Sequence, residues 1–192
     1  MSEDPHLILA SSSPRRRELL GLFGLDFEVE PAAINETPVE GEAPRDHAVR
    51  MAREKAQAVY QRHSAARVLA SDTVVAVDGA ILGKPVGAAQ ARSMLERLSG
   101  RTHRVLSAVV LTGPDGMLDE RCSETRVEFA PLPAAWIASY IASGEPYDKA
   151  GAYGIQGPAG IWVRSLTGSY SGVVGLPLFE TGELLREAGQ LT

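Results

Sequence analysis

Apolar positions recur along this chain with two periods, and their alternation lays out the elements before any chemistry is considered. Leu7-Ile8-Leu9-Ala10 is a continuous apolar run with the length of a buried strand. Ala48, Met51, Ala52, Ala56 and Val59 recur at helical spacing and predict a helix over residues 44–62. Val68-Leu69-Ala70 enters a strand that continues through Thr73-Val74-Val75-Ala76-Val77, and Asp78-Gly79 is a hairpin signal before Ala80-Ile81-Leu82. Residues 88–98 read as another helix. The β-rich stretches 103–112 and 117–129 flank Gly113-Pro114-Asp115-Gly116, a turn composition, and are expected to pair antiparallel. A short helix over 133–142, a glycine-rich segment over 144–160, a strand over 161–166 and a last helix over 177–188 follow. Strand–helix units at the start and a hairpin in the middle predict an α/β fold, a mixed, twisted β-sheet flanked by helices. Two lobes around a central cleft, within a single domain over residues 1–192, are the expected arrangement, with the cleft as the natural site.

Bulk composition narrows the partners. At 192 residues and 44% apolar content the chain has enough core for one domain or two packed lobes. A net charge of −5 argues against a nucleic-acid-coating surface or a basic membrane-binding face, so any positive potential must be local and its partner a small anion. Cys122 stands alone, which excludes an intrachain disulfide or a thiolate metal cluster and suits a reducing compartment. The acidic start Met1-Ser2-Glu3-Asp4-Pro5-His6 has neither the basic nor the apolar region of a signal peptide, and no run approaches membrane-spanning length. A cytoplasmic protein is the expectation.

Charged residues then appear where the pattern does not call for them. Ser11-Ser12-Ser13-Pro14-Arg15-Arg16-Arg17 follows the first strand, with Ser13 fitting an N-cap and Pro14 the first helical position. Three arginines thereby fall in a helix's first turn, where each cation costs roughly 0.3–1 kcal/mol against the positive pole unless an anion sits among them. A bound phosphate reverses that sign. Lys55 lies on the inward stripe between Met51 and Val59, where its stem either snorkels or carries an ammonium into a cleft. Ser71-Asp72-Thr73 interrupts an apolar strand, and a carboxylate at that depth needs a partner, a metal or a role as general base. Lys84, held extended by Pro85, projects from the end of the hairpin. The segment from Gly144 through Tyr147, Asp148, Lys149, Tyr153 and Gln156 to Gly157 has the composition to wrap a flat ring, or equally that of a surface loop, and matches neither common nucleotide-binding glycine motif. The long loop over 31–44 carries Glu36, and the four histidines show no metal-ligand spacing, with His103 read as a hydrogen-bonded structural residue. Cations at Arg15, Arg16, Lys55 and Lys84 around carboxylates at Asp72 and Glu36 suit a triphosphate with a hard divalent cation.

These residues resemble the Maf-like nucleoside triphosphate pyrophosphatases. The resemblance rests on Leu9-Ala10-Ser11-Ser12-Ser13-Pro14-Arg15-Arg16, Glu36, Lys55-Ala56, Ser71-Asp72-Thr73-Val74-Val75, Leu82-Gly83-Lys84-Pro85, His103-Arg104-Val105, the Asp148-Lys149-Ala150-Gly151-Ala152-Tyr153-Gly154-Ile155-Gln156-Gly157 block and Gly175-Leu176-Pro177. It implies a Maf/ITPase-like fold and metal-dependent hydrolysis of a nucleoside triphosphate between its α and β phosphates, with Asp72 as general base. Ser11, Ser13, Arg15, Arg16, Glu36, Lys55, Thr73, Lys84 and Gln156 become the substrate-binding set by the same resemblance, and Asp72 and Glu36 the metal ligands, for Mg²⁺ first and Mn²⁺ or Co²⁺ as substitutes. The Asp148–Gly157 block resembles the branch acting on dTTP and UTP, modified pyrimidine nucleotides included. Gln156 offers a donor and an acceptor to match a pyrimidine edge. Rival readings are a pyrophosphatase for ITP-type nucleotides or 7-methyl-GTP, a non-catalytic nucleotide-binding regulator of cell division, and a nucleotidyltransferase. The resemblance also suggests a homodimer. Gly172 and Ser107 depart from residues common in the family, asparagine and threonine; neither is expected to touch the chemistry, and the first is expected to bear on loop rigidity and hence base selectivity.

Overall fold

The computed structural model describes residues 6–191. The reading of the acidic N-terminus falls almost wholly on residues 1–5, outside the described residues. In chain order the elements are β1 (Leu7–Leu9), α1 (Pro14–Gly21), β2 (Glu28–Val29), α2 (Pro44–Tyr60), β3 (Arg67–Val77), β4 (Ala80–Leu82), α3 (Ala88–Leu98), β5 (Thr102–Thr112), β6 (Leu118–Phe129), α4 (Ala134–Ala142), β7 (Val163–Thr167), α5 (Tyr170–Val174) and α6 (Leu178–Glu187). Three 3₁₀ turns, Glu145–Asp148, Ala150–Ala152 and Pro158–Trp162, lie between α4 and β7. The strands form one mixed sheet in the order β2-β1-β3-β5-β6-β7, with β4 also on β3.

Pairing on the two edges of β3 determines where the cleft opens. Along one edge β5 runs antiparallel beside it from Val68 to Ala76. On the other edge β1 pairs parallel with Arg67–Leu69 and β4 pairs antiparallel with Val75–Val77. Between them no strand covers residues 70–74 on that edge. Asp78 and Gly79 both have positive φ, 52° and 76°, which matches the tight hairpin turn that brings β4 back onto β3.

Three buried clusters hold this sheet. Val68, Ala70, Val74 and Ala76 of β3 and Leu106, Ala108 and Val110 of β5 meet Ala48, Ala52, Ala56 and Val59 on the stripe of α2. On the opposite face Leu69, Val109 and Leu111 pack under Leu20 of α1 and Leu184 and Leu185 of α6. Further along that same face Val75, Val77, Val105 and Val127 pack under Leu95 and Leu98 of α3 and Ile137 of α4. Truncating one such fully buried Leu to Ala typically costs about 2–5 kcal/mol, so each cluster matters to the whole fold. The two clusters on that face are separated by a buried band of hydroxyls, Ser71, Ser107, Ser123 and Thr125. Ser107 donates to the carbonyl of Gly172 on α5 at 2.6 Å, and Thr125 to that of Ser169 at 3.2 Å, so the band is covered by polar backbone.

The expected helices and long strands are present within a residue or two, and two local readings change. The apolar run Ile161-Trp162-Val163 reads as the start of a strand, but Ile161 and Trp162 close a 3₁₀ turn, Ile161 is 74% exposed, and pairing begins at Val163. Neither β2 nor α5 stands out in the hydrophobic pattern. β2 has two residues, and α5 has five, capped by Ser169 accepting from the amide of Gly172. Elements this short are fixed by their neighbours rather than by periodicity.

Candidate active site

The fork between β1 and β4 opens into a cleft of about 650 Å³, lined by Ser13, Arg15, Arg16, Glu36, Lys55, Asp72, Thr73, Lys84 and Gln156 among others. Alternation along β3 sends Ser71 and Thr73 to one face and Asp72 to the other. Because no strand covers this stretch of edge, both Asp72 and Thr73 line the opening.

Below Asp72 lies α2. The helical stripe that buries Met51 and Val59 also buries Lys55, 7% exposed, and directs its ammonium at the strand. Lys55 Nζ donates to Asp72 Oδ1 at 2.6 Å and meets Glu36 Oε1 at 2.8 Å. One ammonium thus joins the strand, the helix and the long loop that carries Glu36. Burial opposes ionisation of Glu36, yet the hydrogen bond and charge of Lys55, with Lys84 and Arg16 behind it, hold its carboxyl below the ordinary range.

On the other side stands the first turn of α1. Ser13 Oγ accepts from the amide of Arg16 at 3.4 Å as the N-cap, and the buried Ser11 accepts from the amide of Ser13 at 3.2 Å, bracing the turn from behind the cleft. Arg16 meets no carboxylate directly among the described residues. Its Nε donates to the carbonyl of Gly175 at 2.8 Å, Nη1 to Ser11 Oγ and Nη2 to Thr73 Oγ1, each at 3.4 Å. Burial pulls this guanidinium below its usual pKa, against the raising pull of Asp72 and Glu36, and it remains a cation at any working pH. Arg15 reaches across the cleft to Asp148 Oδ2 at 3.3 Å, whereas Arg17 is exposed and does not line the cleft. Lys84 lines the cleft from the loop after β4 and has no ion-pair partner among the described residues.

The glycine-rich segment forms the far wall. It is a packed structure rather than a free loop. The amide of Gly151 donates to the carbonyl of Gly83 at 3.1 Å, and a Cβ placed at Gly151, with φ at +70°, would stand 2.8 Å from a methyl of Val75. Lys149 Nζ donates to the carbonyl of Glu145 at 2.8 Å and to Asp148 Oδ1 at 2.6 Å. Tyr153 is buried and its hydroxyl shares a hydrogen bond of 2.7 Å with His103 Nε2. Burial drives the His103 imidazole down to about 4 and the Tyr153 phenol up, so this pair is neutral. Gln156 is exposed on the same wall.

Ser107 and Gly172 do not line the cleft but stand behind it: Ser107 Oγ lies 2.7 Å from Thr73 Oγ1 and 2.6 Å from the carbonyl of Gly172. His47, Glu145, Lys149 and Tyr153 also line the opening. The carbonyl of Gly175, the closest partner of Arg16, has no sequence signature because every residue carries one.

Among the described residues no group of three or more His, Cys, Asp or Glu side chains is arranged to hold a metal. Asp72 and Glu36 nevertheless converge on one ammonium, so a divalent cation would find two carboxylates there, the number Mg²⁺ uses when phosphates and water complete its shell.

Known proteins are similar to this chain along nearly its whole length. A protein of Methylococcus capsulatus named dTTP/UTP pyrophosphatase is 55% identical over 98% of this chain and 93% of its own length. Proteins of the same name from Shewanella oneidensis, at 52% over 96% and 98%, and Ralstonia nicotianae, at 51% over 96% and 94%, are similar throughout. A HAM1 protein from Coxiella burnetii, 18% identical, covers 95% of this chain and 99% of its own with a TM-score of 0.53, which relates the fold. No helix among the described residues is long and apolar enough to cross a membrane. The model of Maf-like proteins matches residues 6–188, a span that takes in the fork, both cationic walls and the glycine-rich segment, and the chain belongs to the Maf family.

Proposed function

We propose that this protein hydrolyses dTTP and UTP, with related pyrimidine nucleoside triphosphates, to the monophosphate and pyrophosphate. The observation that carries the reading is the 2.6 Å contact between the buried Lys55 ammonium and Asp72 in a cleft also lined by Arg15, Arg16 and Lys84. Arg16 and Lys84 line it without an ion-pair partner among the described residues, so a polyanion that enters meets positive charge left uncompensated.

Asp72 acts as general base. Its Oδ1 is held by Lys55, which fixes the carboxylate plane and leaves Oδ2, with no protein donor among the described residues, to take a proton from an attacking water. Water adds at the α phosphorus, the bond to the bridging oxygen breaks, and pyrophosphate leaves with that oxygen. Arg16 is held by neutral acceptors and offers its undiminished charge to the phosphates, and Arg15 and Lys84 join it from two sides of the cleft. Asp72 and Glu36 would hold a divalent cation, Mg²⁺ by the hardness of the donors, whose charge would offset that of the phosphates. The packed wall around Tyr153 and Gln156 receives the base, where Gln156 supplies a donor and an acceptor.

The experiment is pyrophosphate release from dTTP, UTP, CTP, ITP and 7-methyl-GTP, with and without Mg²⁺, for the parent and Asp72→Asn. We expect dTTP and UTP to lead. The Asn variant should keep its fold and nucleotide binding and lose turnover by about 10²–10⁴-fold, the range of one general base. Release at the parent rate by the variant would remove the base assignment, and preference for ITP would remove the pyrimidine reading.

A further inference from the structure

Glu36 sits on a long loop without regular structure, yet its carboxylate must meet Lys55 and Asp72 with sub-ångström reproducibility to serve a metal site. Two turns up the same helix, a cluster of side chains grips that loop. Glu42, at the end of the loop, accepts from Arg50 Nε at 2.6 Å and Nη2 at 2.8 Å, shares a 2.8 Å hydrogen bond with His47 Nδ1, and accepts from the amide of Val39 at 3.1 Å. Arg50 Nη2 also donates to the carbonyl of Thr37, the neighbour of Glu36, at 3.2 Å. Asn35 Oδ1, on the other side of Glu36, accepts from the amide of Thr37 at 3.0 Å. Glu42 is only 10% exposed in its side chain, and the hydrogen bonds of Arg50, then those of His47 and the Val39 amide, outweigh burial and draw its carboxyl down to about 2. The grip therefore stays ionised at every pH at which the protein works.

We propose that Arg50, acting through Glu42, is a positioning residue for the metal ligand Glu36: it ties residues 37–42 to the same helix that carries Lys55, so that the loop and the ammonium are set by one rigid body. Arg50 does not touch substrate in this scheme, and His47 shares the grip while lining the cleft. The inference rests on the pyrophosphatase reading only for the use to which Glu36 is put; the tether itself is independent of it.

Arg50→Ala, Arg50→Lys and Glu42→Gln test this against Arg53→Ala, on the same helix, which removes an ion pair to Glu120 of β6 away from the loop. The first readout is hydrogen exchange of the amides over residues 35–42, which should accelerate in Arg50→Ala and Glu42→Gln and stay at the parent rate in Arg53→Ala. The second is Mn²⁺ binding in the presence of pyrophosphate, followed by electron paramagnetic resonance, which should weaken about 10–100-fold in Arg50→Ala and Glu42→Gln, as expected when an outer-shell partner is lost. The third splits kinetic constants: the Mg²⁺ concentration for half-maximal rate should rise by the same factor while KM for the nucleotide at saturating metal moves less than about threefold. Arg50→Lys should recover part of the metal affinity through one bond to Glu42. Unchanged loop exchange, or faster exchange with unaltered Mn²⁺ affinity, would overturn the proposal. A parent that binds Mn²⁺ and protects the loop but releases no pyrophosphate would instead count against the pyrophosphatase reading alone.

Discussion

Replacing Lys55 by Met keeps a stem of similar shape and removes the ammonium between Asp72 and Glu36. Lys55 and Asp72 are 7% and 8% exposed, so the substitution leaves a buried carboxylate without its cation, a change that typically costs about 3–5 kcal/mol. Glu36 has a side chain 46% exposed and is screened by water, so its share is small and the lower end applies, about 3 kcal/mol. Each kcal/mol moves Tm by about 2–4 °C in a chain of this size, which gives a fall of roughly 6–12 °C. Magnesium should then distinguish the variant from the parent. In the parent the ammonium already stands between the carboxylates and competes with Mg²⁺; in Lys55→Met the cation enters a vacant place between two negative groups and restores much of the lost stability. Differential scanning calorimetry at neutral pH, with EDTA or with millimolar Mg²⁺, reads both effects. A variant that melts within about 2 °C of the parent in EDTA, or equal Mg²⁺ shifts in the two proteins, would refute the reasoning.

Two further predictions concern the far wall. His103 resists protonation down to about 4 when folded, while an unfolded imidazole takes its proton near 6.5, so its contribution to stability is complete above that value and is lost as pH falls toward 4. The loss amounts to about 2–3 kcal/mol by roughly pH 4.5, and urea melts across that range should show a shallower decline for His103→Gln than for the parent; parallel declines would count against it. Gly151→Ala sets a methyl against Val75 in a left-handed backbone conformation, and should destabilise by about 2–4 kcal/mol and raise KM for the nucleotide; an unaltered Tm would show that the wall tolerates movement.

The parts of the site that could be read in the sequence share one property: their neighbours in the chain expose them. Lys55 is conspicuous because Met51 and Val59 define the stripe it shares, and Asp72 because Val74 to Val77 define its strand. The arginines of α1 stand out against the helix pole for the same reason. What could not be read is what distant segments do to one another. The parallel pairing of β1 with β3, the capture of Arg16 by the Gly175 carbonyl and the hydroxyl chain from Thr73 through Ser107 to Gly172 join residues far apart in sequence. Glu42, Arg50 and His47 are close in sequence but look like an ordinary solvated helix entrance until the loop folds back over them. Ile161 misleads because its apolar neighbours Trp162 and Val163 carry a strand pattern into a turn.

The uncovered stretch of β3 has a consequence for solubility as well as for chemistry. A bare strand margin on the outside of a sheet invites another molecule to add itself in register, and proteins defend such margins with charge or prolines. Here the margin is internal, bounded by β1 at one end and β4 at the other, so an incoming strand would have to fit between both of their ends. The fold can thus leave main-chain polar groups open to a small guest while hindering the approach of a neighbouring polypeptide.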